Sequence, residues 1–169
     1  MMSLSVHAMT TEPFIHMLGN LSNILGKAAA HAEAKKIESG VLEGLRVTPD
    51  MFTLARQVML TCDFAKNSCA RLAGVEPPRF EDTEKTLAEL QGRIAKTIDY
   101  LKTLTPAQME GAEQRKITLP LRTRKLEMDG LPFIRKWTIP NFYFHLTTTY
   151  ALLRGVGVDI GKQDFLGGY

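Results

Sequence analysis

Histidines, cysteines and carboxylates are where catalysis or metal binding near neutral pH would start. This chain of 169 residues holds four histidines and two cysteines. His145 is the histidine set in a strongly apolar helical register, at the edge of a face shared with Phe142, Thr149 and Leu152. A histidine there can ligate a metal or act as a general base if a polar group reaches it from another helix. Asp63 is the candidate for that group. Each has a plainer reading. His145 can be a core histidine bonded to a carbonyl or a threonine. Asp63 lies about 130° from the centre of its helix's apolar stripe at 100° per residue. With Lys66 on the next turn, it reads as half of a solvated i,i+3 pair worth a few tenths of a kcal/mol.

The remaining reactive groups read as structural. Cys62 and Cys69 fall on an apolar stripe with Val58 and Ala65, a setting for core thiols rather than for an activated nucleophile. They sit seven residues apart, about 10 Å along a helix, beyond disulfide reach. His16 shares a polar face with Asn20, Asn23 and Lys27, His31 lies near one end of the same helix, and His7 falls in a segment expected to be flexible. Gly155, Gly157 and Gly161 follow a helix rather than a strand and miss the dinucleotide spacing.

Four helices must position these groups. The first is expected over residues 11–37, where Phe14, Met17, Leu18, Leu21, Ile24, Leu25 and Ala28 keep the helical period. Gly19 and Gly26 on one face suggest close approach by a neighbour. The second is expected to start near Pro49, capped by Thr48, and to end at Gly74. A third is expected over residues 81–104, with Glu81, Asp82 and Glu84 in its first turn, where the helix dipole favours acids. The fourth is expected over residues 140–154. Between the last two, residues 115–137 read as a hairpin insert, with Asp129-Gly130 as its turn and Leu131–Ile134 as one arm. Amphipathic helices of this kind bury their faces against one another, so the expected fold is mainly all-α, a four-helix bundle with a small β-hairpin, forming one domain over residues 1–169 with residues 1–10 flexible.

Composition narrows the function classes. Apolar residues at 44% and charged residues at 23% suit a globular domain. No run approaches the roughly 20 apolar residues of a membrane span. A net charge of +3 does not point to nucleic acid, although Arg115, Lys116, Arg122, Arg124, Lys125, Arg135 and Lys136 make the insert locally basic. Unpaired cysteines and the lack of a basic-then-apolar leader pattern point to a cytoplasmic protein.

The run Pro140–Arg154, the tail Val158–Gly167 and the run Gln57–Lys66 resemble an uncharacterised bacterial family, a domain of unknown function similar to the DinB/YfiT-like four-helix-bundle superfamily. The likeness spans residues 14–167. It implies a divalent metal held by three histidines, one on the second helix and two at i,i+4 on the last, and in some members a thiol-dependent transferase or hydrolase activity. Here His145 matches the first of the last-helix pair, Thr149 stands at the second, and the second helix has no histidine. The expectation is therefore a small-molecule site or a weak divalent-metal site at His145, Asp63 and Thr149, between the second and fourth helices. The alternatives are an enzyme of the superfamily's kind and a non-catalytic interaction module. The crowding of Trp137, Phe142, Tyr143 and Phe144 further predicts a homodimer.

Overall fold

The computed structural model describes residues 5–120, 123 and 125–168. Four long helices form the bundle: α2 (Thr11–Lys35), α3 (Leu54–Ala73), α4 (Leu87–Lys102) and α6 (Ile139–Gly155). A one-turn helix, α1 (Val6–Met9), precedes them. Strands β1 (Lys116–Pro120) and β2 (Lys125–Asp129) and a short helix, α5 (Gly130–Phe133), lie between α4 and α6, and α7 (Lys162–Leu166) closes the chain. The expected mainly helical bundle with a small hairpin is what the chain adopts. α2 packs on α4, and α3 packs on both α4 and α6. Phe14, Leu18, Leu21, Leu25, Leu54, Leu72, Leu90, Ile94 and Phe142 fill the centre.

The helix starts differ from expectation, and local chemistry explains why. α3 begins at Leu54 because Thr53 caps it, its Oγ1 accepting from the Arg56 amide at 3.3 Å. Thr48 instead donates to the Asp50 carboxylate in a separate turn. α4 begins at Leu87, where Thr86 and Glu89 form a reciprocal capping box. Glu81, Asp82 and Glu84 therefore precede the helix and do not serve its dipole.

The hairpin also has other arms than expected. Ile117 pairs with Met128 and Leu119 with Leu126 in an antiparallel ladder, and Ile117 and Leu119 are buried. Arg122 and Arg124, which fall between the strands in sequence, lie outside the described residues. Asp129-Gly130 is not the turn. It is the junction where β2 runs directly into α5, and Leu131–Ile134 are helical rather than extended. Glycine is required there because a Cβ on Gly130 would lie 1.7 Å from the Ala112 carbonyl oxygen. From Gly130 to Gly155 the backbone stays helical, with a π-helical stretch over residues 134–138 just before Pro140.

The described part of the segment expected to be flexible is tied down. Val6 is buried, and the Thr10 hydroxyl donates to its carbonyl at 2.7 Å, so residues 6–9 are not a flexible lead-in. At the other end α7 lies along α2. Lys27 meets Asp164 at 2.7 Å, the Asn20 amide donates to the Phe165 carbonyl at 3.1 Å, and His16 Nε2 donates to the Leu166 carbonyl at 2.6 Å. Among the described residues no helix is long and apolar enough to cross a membrane.

The two helical glycines of α2 do not share one explanation. A Cβ on Gly26 would meet the Gln91 side chain at 3.6 Å, whereas one on Gly19 would meet nothing within 4 Å. Gly19→Ala is therefore expected to raise stability by roughly 0.5–1 kcal/mol through helix propensity. Gly130→Ala is expected to lower it by more than about 2 kcal/mol through overpacking against backbone. Urea unfolding of both variants checks the pair.

Candidate functional site

α3 presents different faces to different neighbours, and each carries polar residues. Toward α6 it offers Gln57, 1% exposed, whose Oε1 accepts from His145 Nδ1 at 2.7 Å. The Gln57 amide nitrogen donates to the Phe52 carbonyl at 3.4 Å, which fixes the amide so that its oxygen faces the imidazole. His145 therefore carries its proton on Nδ1 and its lone pair on Nε2. Phe64, two turns along α3, stacks on the imidazole at 5.4 Å between ring centres, and Phe144 meets it edge-on at 5.2 Å. Burial, with the Arg56 charge as a second cause, pulls the His145 pKa down to about 4. Near neutral pH His145 is an uncharged hydrogen-bond partner held between aromatic rings.

Asp63 belongs to a second face. It lies six residues from Gln57, which turns it by about 120° around the helix at 100° per residue. There it accepts from Arg93 of α4 at 2.9 Å and sits 3.4 Å from Lys66. The expected Asp63–Lys66 pair exists, but it is not a solvated one. The Lys66 and Arg93 side chains are 4% and 1% exposed. The Arg93 guanidinium also meets Asp82 at 3.0 Å, Glu84 at 3.1 Å and the Glu81 carbonyl at 2.9 Å. The acidic run before α4 thus neutralises a buried arginine. The expected meeting of Asp63 with His145 does not occur: no hydrogen bond joins them among the described residues, because α3 points one at α4 and the other at α6.

Thr149 shares the α6 face with His145 and is fully buried, but its hydroxyl donates to the His145 carbonyl at 3.0 Å. One imidazole, an amide and a hydroxyl committed to its own helix do not make the three-ligand set that a bound divalent metal usually takes from protein. Among the described residues no group of three or more His, Cys, Asp or Glu side chains is placed to hold a metal ion. The residues at this position do not fit the superfamily's metal. Cys62 and Cys69 are fully buried, and burial pushes both thiols up to about 12, so they stay protonated core groups.

Further along α3, the side that carries Gln57 also lines a cleft of about 230 Å³. Leu60, Asp63, Phe64, Asn67, Ser68 and Arg71 form one wall, and Leu119, Pro120, Phe133 and Trp137 form the other. Phe133 and Trp137 reach it from α5 and the π-helical stretch, and the Trp137 ring lies 6.2 Å from that of Phe64. Phe64 therefore connects the cleft to His145.

The profile of a family described as a domain of unknown function, DUF1993, matches residues 6–166. The chain belongs to the DUF1993 family. It is also similar to a solved structure described as a DinB family member protein from Shewanella denitrificans, with 41% identity and a TM-score of 0.92 over 97% of this chain and 93% of that one. No curated protein matches it. This DUF1993 chain thus keeps the DinB-like bundle while placing Gln57, His145 and Thr149 where α3 faces α6.

Gln57 and Arg93 are the polar residues that sequence reasoning passed over. Both had a signal. Gln57 is one heptad before Phe64, so the two share a face. Arg93 falls beside Ile94 in the α4 register that also buries Leu90, Thr97 and Leu101, and an arginine in such a stripe requires anions nearby.

The depressed His145 pKa has a consequence for stability. An unfolded histidine binds its proton near pH 6.5 and the folded one near pH 4, so the unfolded state holds more protons between those values. Stability is expected to fall as pH drops from about 6.5 to about 4, by on the order of 2–3 kcal/mol from this group. Replacement by Gln should remove that part of the pH dependence. Urea unfolding at stepped pH, with NMR titration of the His145 ring to place its midpoint and tautomer, checks both.

Proposed function

We propose that this DUF1993 protein binds a small, planar, largely apolar molecule in the cleft between α3 and the hairpin. The observation that carries the reading is the cleft itself: about 230 Å³ walled by Leu60, Phe64, Leu119, Phe133 and Trp137. Clefts with aromatic walls and a few polar groups are the usual form of small-molecule sites, and those for drug-sized ligands run from about 300 to 1,000 Å³. A body of two or three rings suits this one. The π-helical stretch that precedes Pro140 supports the reading, since such stretches recur at functional sites and this one carries Trp137 to the cleft. The polar position between α3 and α6 is less suited, because Gln57, His145 and Phe64 already fill it with their mutual contacts. The donor set there gives no support to a metal-dependent transferase or hydrolase. Two buried, unpaired thiols favour a reducing compartment such as the cytoplasm.

A second copy of the chain is proposed as a partner. Phe144 and Phe52, 55% and 54% exposed, support this, since large apolar side chains left open at a surface often mark contacts. Light scattering at rising micromolar concentration is expected to give about twice the 18.9 kDa chain mass, and Phe144→Ser to shift it toward one.

Trp137 is the chain's one tryptophan, so its emission reports on the cleft alone. N-phenyl-1-naphthylamine, neutral and apolar, is expected to bind with energy transfer from Trp137 and to saturate at one per chain. Asn67→Phe, which fills the cleft from its rim, should abolish the transfer while the thermal melt is kept. Transfer that persists in that variant would place the probe elsewhere.

A further inference from the structure

The cleft's walls are largely apolar, yet one end is not, and the polar groups there are incompletely partnered. Phe64, Ser68 and Arg71 follow one another at i, i+4 and i+7 on α3, so they form a single stripe along the cleft. Ser68 is 2% exposed. Helical Thr61, Thr97 and Thr149 each donate back to the carbonyl one turn earlier. Ser68 does not, and its hydroxyl has no hydrogen-bond partner among the described residues. Arg71 is half-buried at the same end. Its Nη1 donates to the Asn67 carbonyl of its own helix at 3.1 Å, and no carboxylate lies within 4 Å of its guanidinium among the described residues. Burial lowers its pKa, and Glu76 acts on it only from a greater distance. A guanidinium has five N–H donors, and one taken out of water without an anion is costly.

The other charges near the cleft are already matched. Asp63 is held by Arg93 at 2.9 Å and by Lys66 at 3.4 Å. Arg115 is bound to the carbonyls of Leu72 and Gln108. The unsatisfied group is therefore positive, and it lies one turn beyond an unpartnered hydroxyl.

Building on the apolar-ligand reading of the cleft, we infer that its ligand is an aromatic carboxylate, with the ring system against Phe64, Phe133 and Trp137 and the carboxylate on Arg71 and Ser68. A guanidinium pairs with a carboxylate through two parallel N–H···O bonds, which fixes the head group while the walls take the rings. An anion is favoured because Asp63, the carboxylate that lines the cleft, is already held by Arg93 and Lys66, whereas a neutral ligand leaves Arg71 unmatched.

Displacement of bound N-phenyl-1-naphthylamine tests this, with 2-naphthoate against 2-naphthylmethanol, which has similar rings and no charge. With the unmodified protein, 2-naphthoate is expected to displace the probe at a concentration at least tenfold lower. In Arg71→Gln the gap should shrink to within threefold, and Arg71→Lys should keep part of it, with all melts close to the parent's. Equal displacement by the two compounds in the parent protein would overturn the carboxylate assignment and leave the apolar cleft standing. A gap that survives in Arg71→Gln would overturn the role of Arg71. Failure of the probe to bind at all would overturn the cleft reading and this inference with it. The parent comparison needs no variant, so it stands even if a substitution unfolds the chain.

Discussion

A guanidinium buried between two helices sets much of the arrangement. Arg93 enters the core from α4 with its side chain 1% exposed. An unpaired charge in that place would cost several kcal/mol. Asp63 from α3 and Asp82 and Glu84 from the connecting segment all reach it. The segment between α3 and α4 must therefore lie across both helices, and Asp82 extends the network to Arg56. Phe80 in the same segment is covered by the ammonium groups of Lys66 and Lys96 at 4.3 and 4.2 Å from its ring centre. With α3 held in rotation by this network, the side that points Gln57 at His145 and, further along, lines the cleft is fixed as well.

The His145 position illustrates how a bundle can keep a place and change its chemistry. A neutral imidazole bonded to an amide and stacked on Phe64 is a packing unit with a polar centre. Such a unit costs little when its buried donors are matched, and here Gln57 takes the imidazole proton while the Phe52 carbonyl takes the Gln57 amide. Its effect on the cleft runs through Phe64, whose ring is held by His145 and whose other contacts include Trp137.

Helix periodicity made the bundle legible: the apolar registers of α2, α3, α4 and α6 all appear in the chain as written, and Gly74 ends α3 in the left-handed conformation its sequence suggests. Boundaries were harder to read because several residues compete for the same role. Thr48 and Thr53 are both good caps, and only packing selects the second. Asp129-Gly130 carries a turn signal, but the contact with Ala112 is long-range and no local pattern reveals it. The site was least legible. Asp63 drew attention as a polar residue on the resembling helix, while its true partner, Arg93, lies 30 residues away. The cleft depends on Leu119, Phe133 and Trp137 meeting α3, a juxtaposition set by the hairpin's course rather than by any motif.

The lashing of α7 to α2 gives the order of synthesis a physical meaning. Asn20 and Lys27 of α2 leave the ribosome well before Phe165 and Asp164, which cover them. The core face of α2 can meet α4 once residue 102 has emerged, but this outer seam stays open until α7 follows. Closing it joins Asn20 to a residue 145 positions later, the kind of contact that forms late and slowly. The five-residue helix thus acts as a clasp, fastened only after the rest of the bundle has been made.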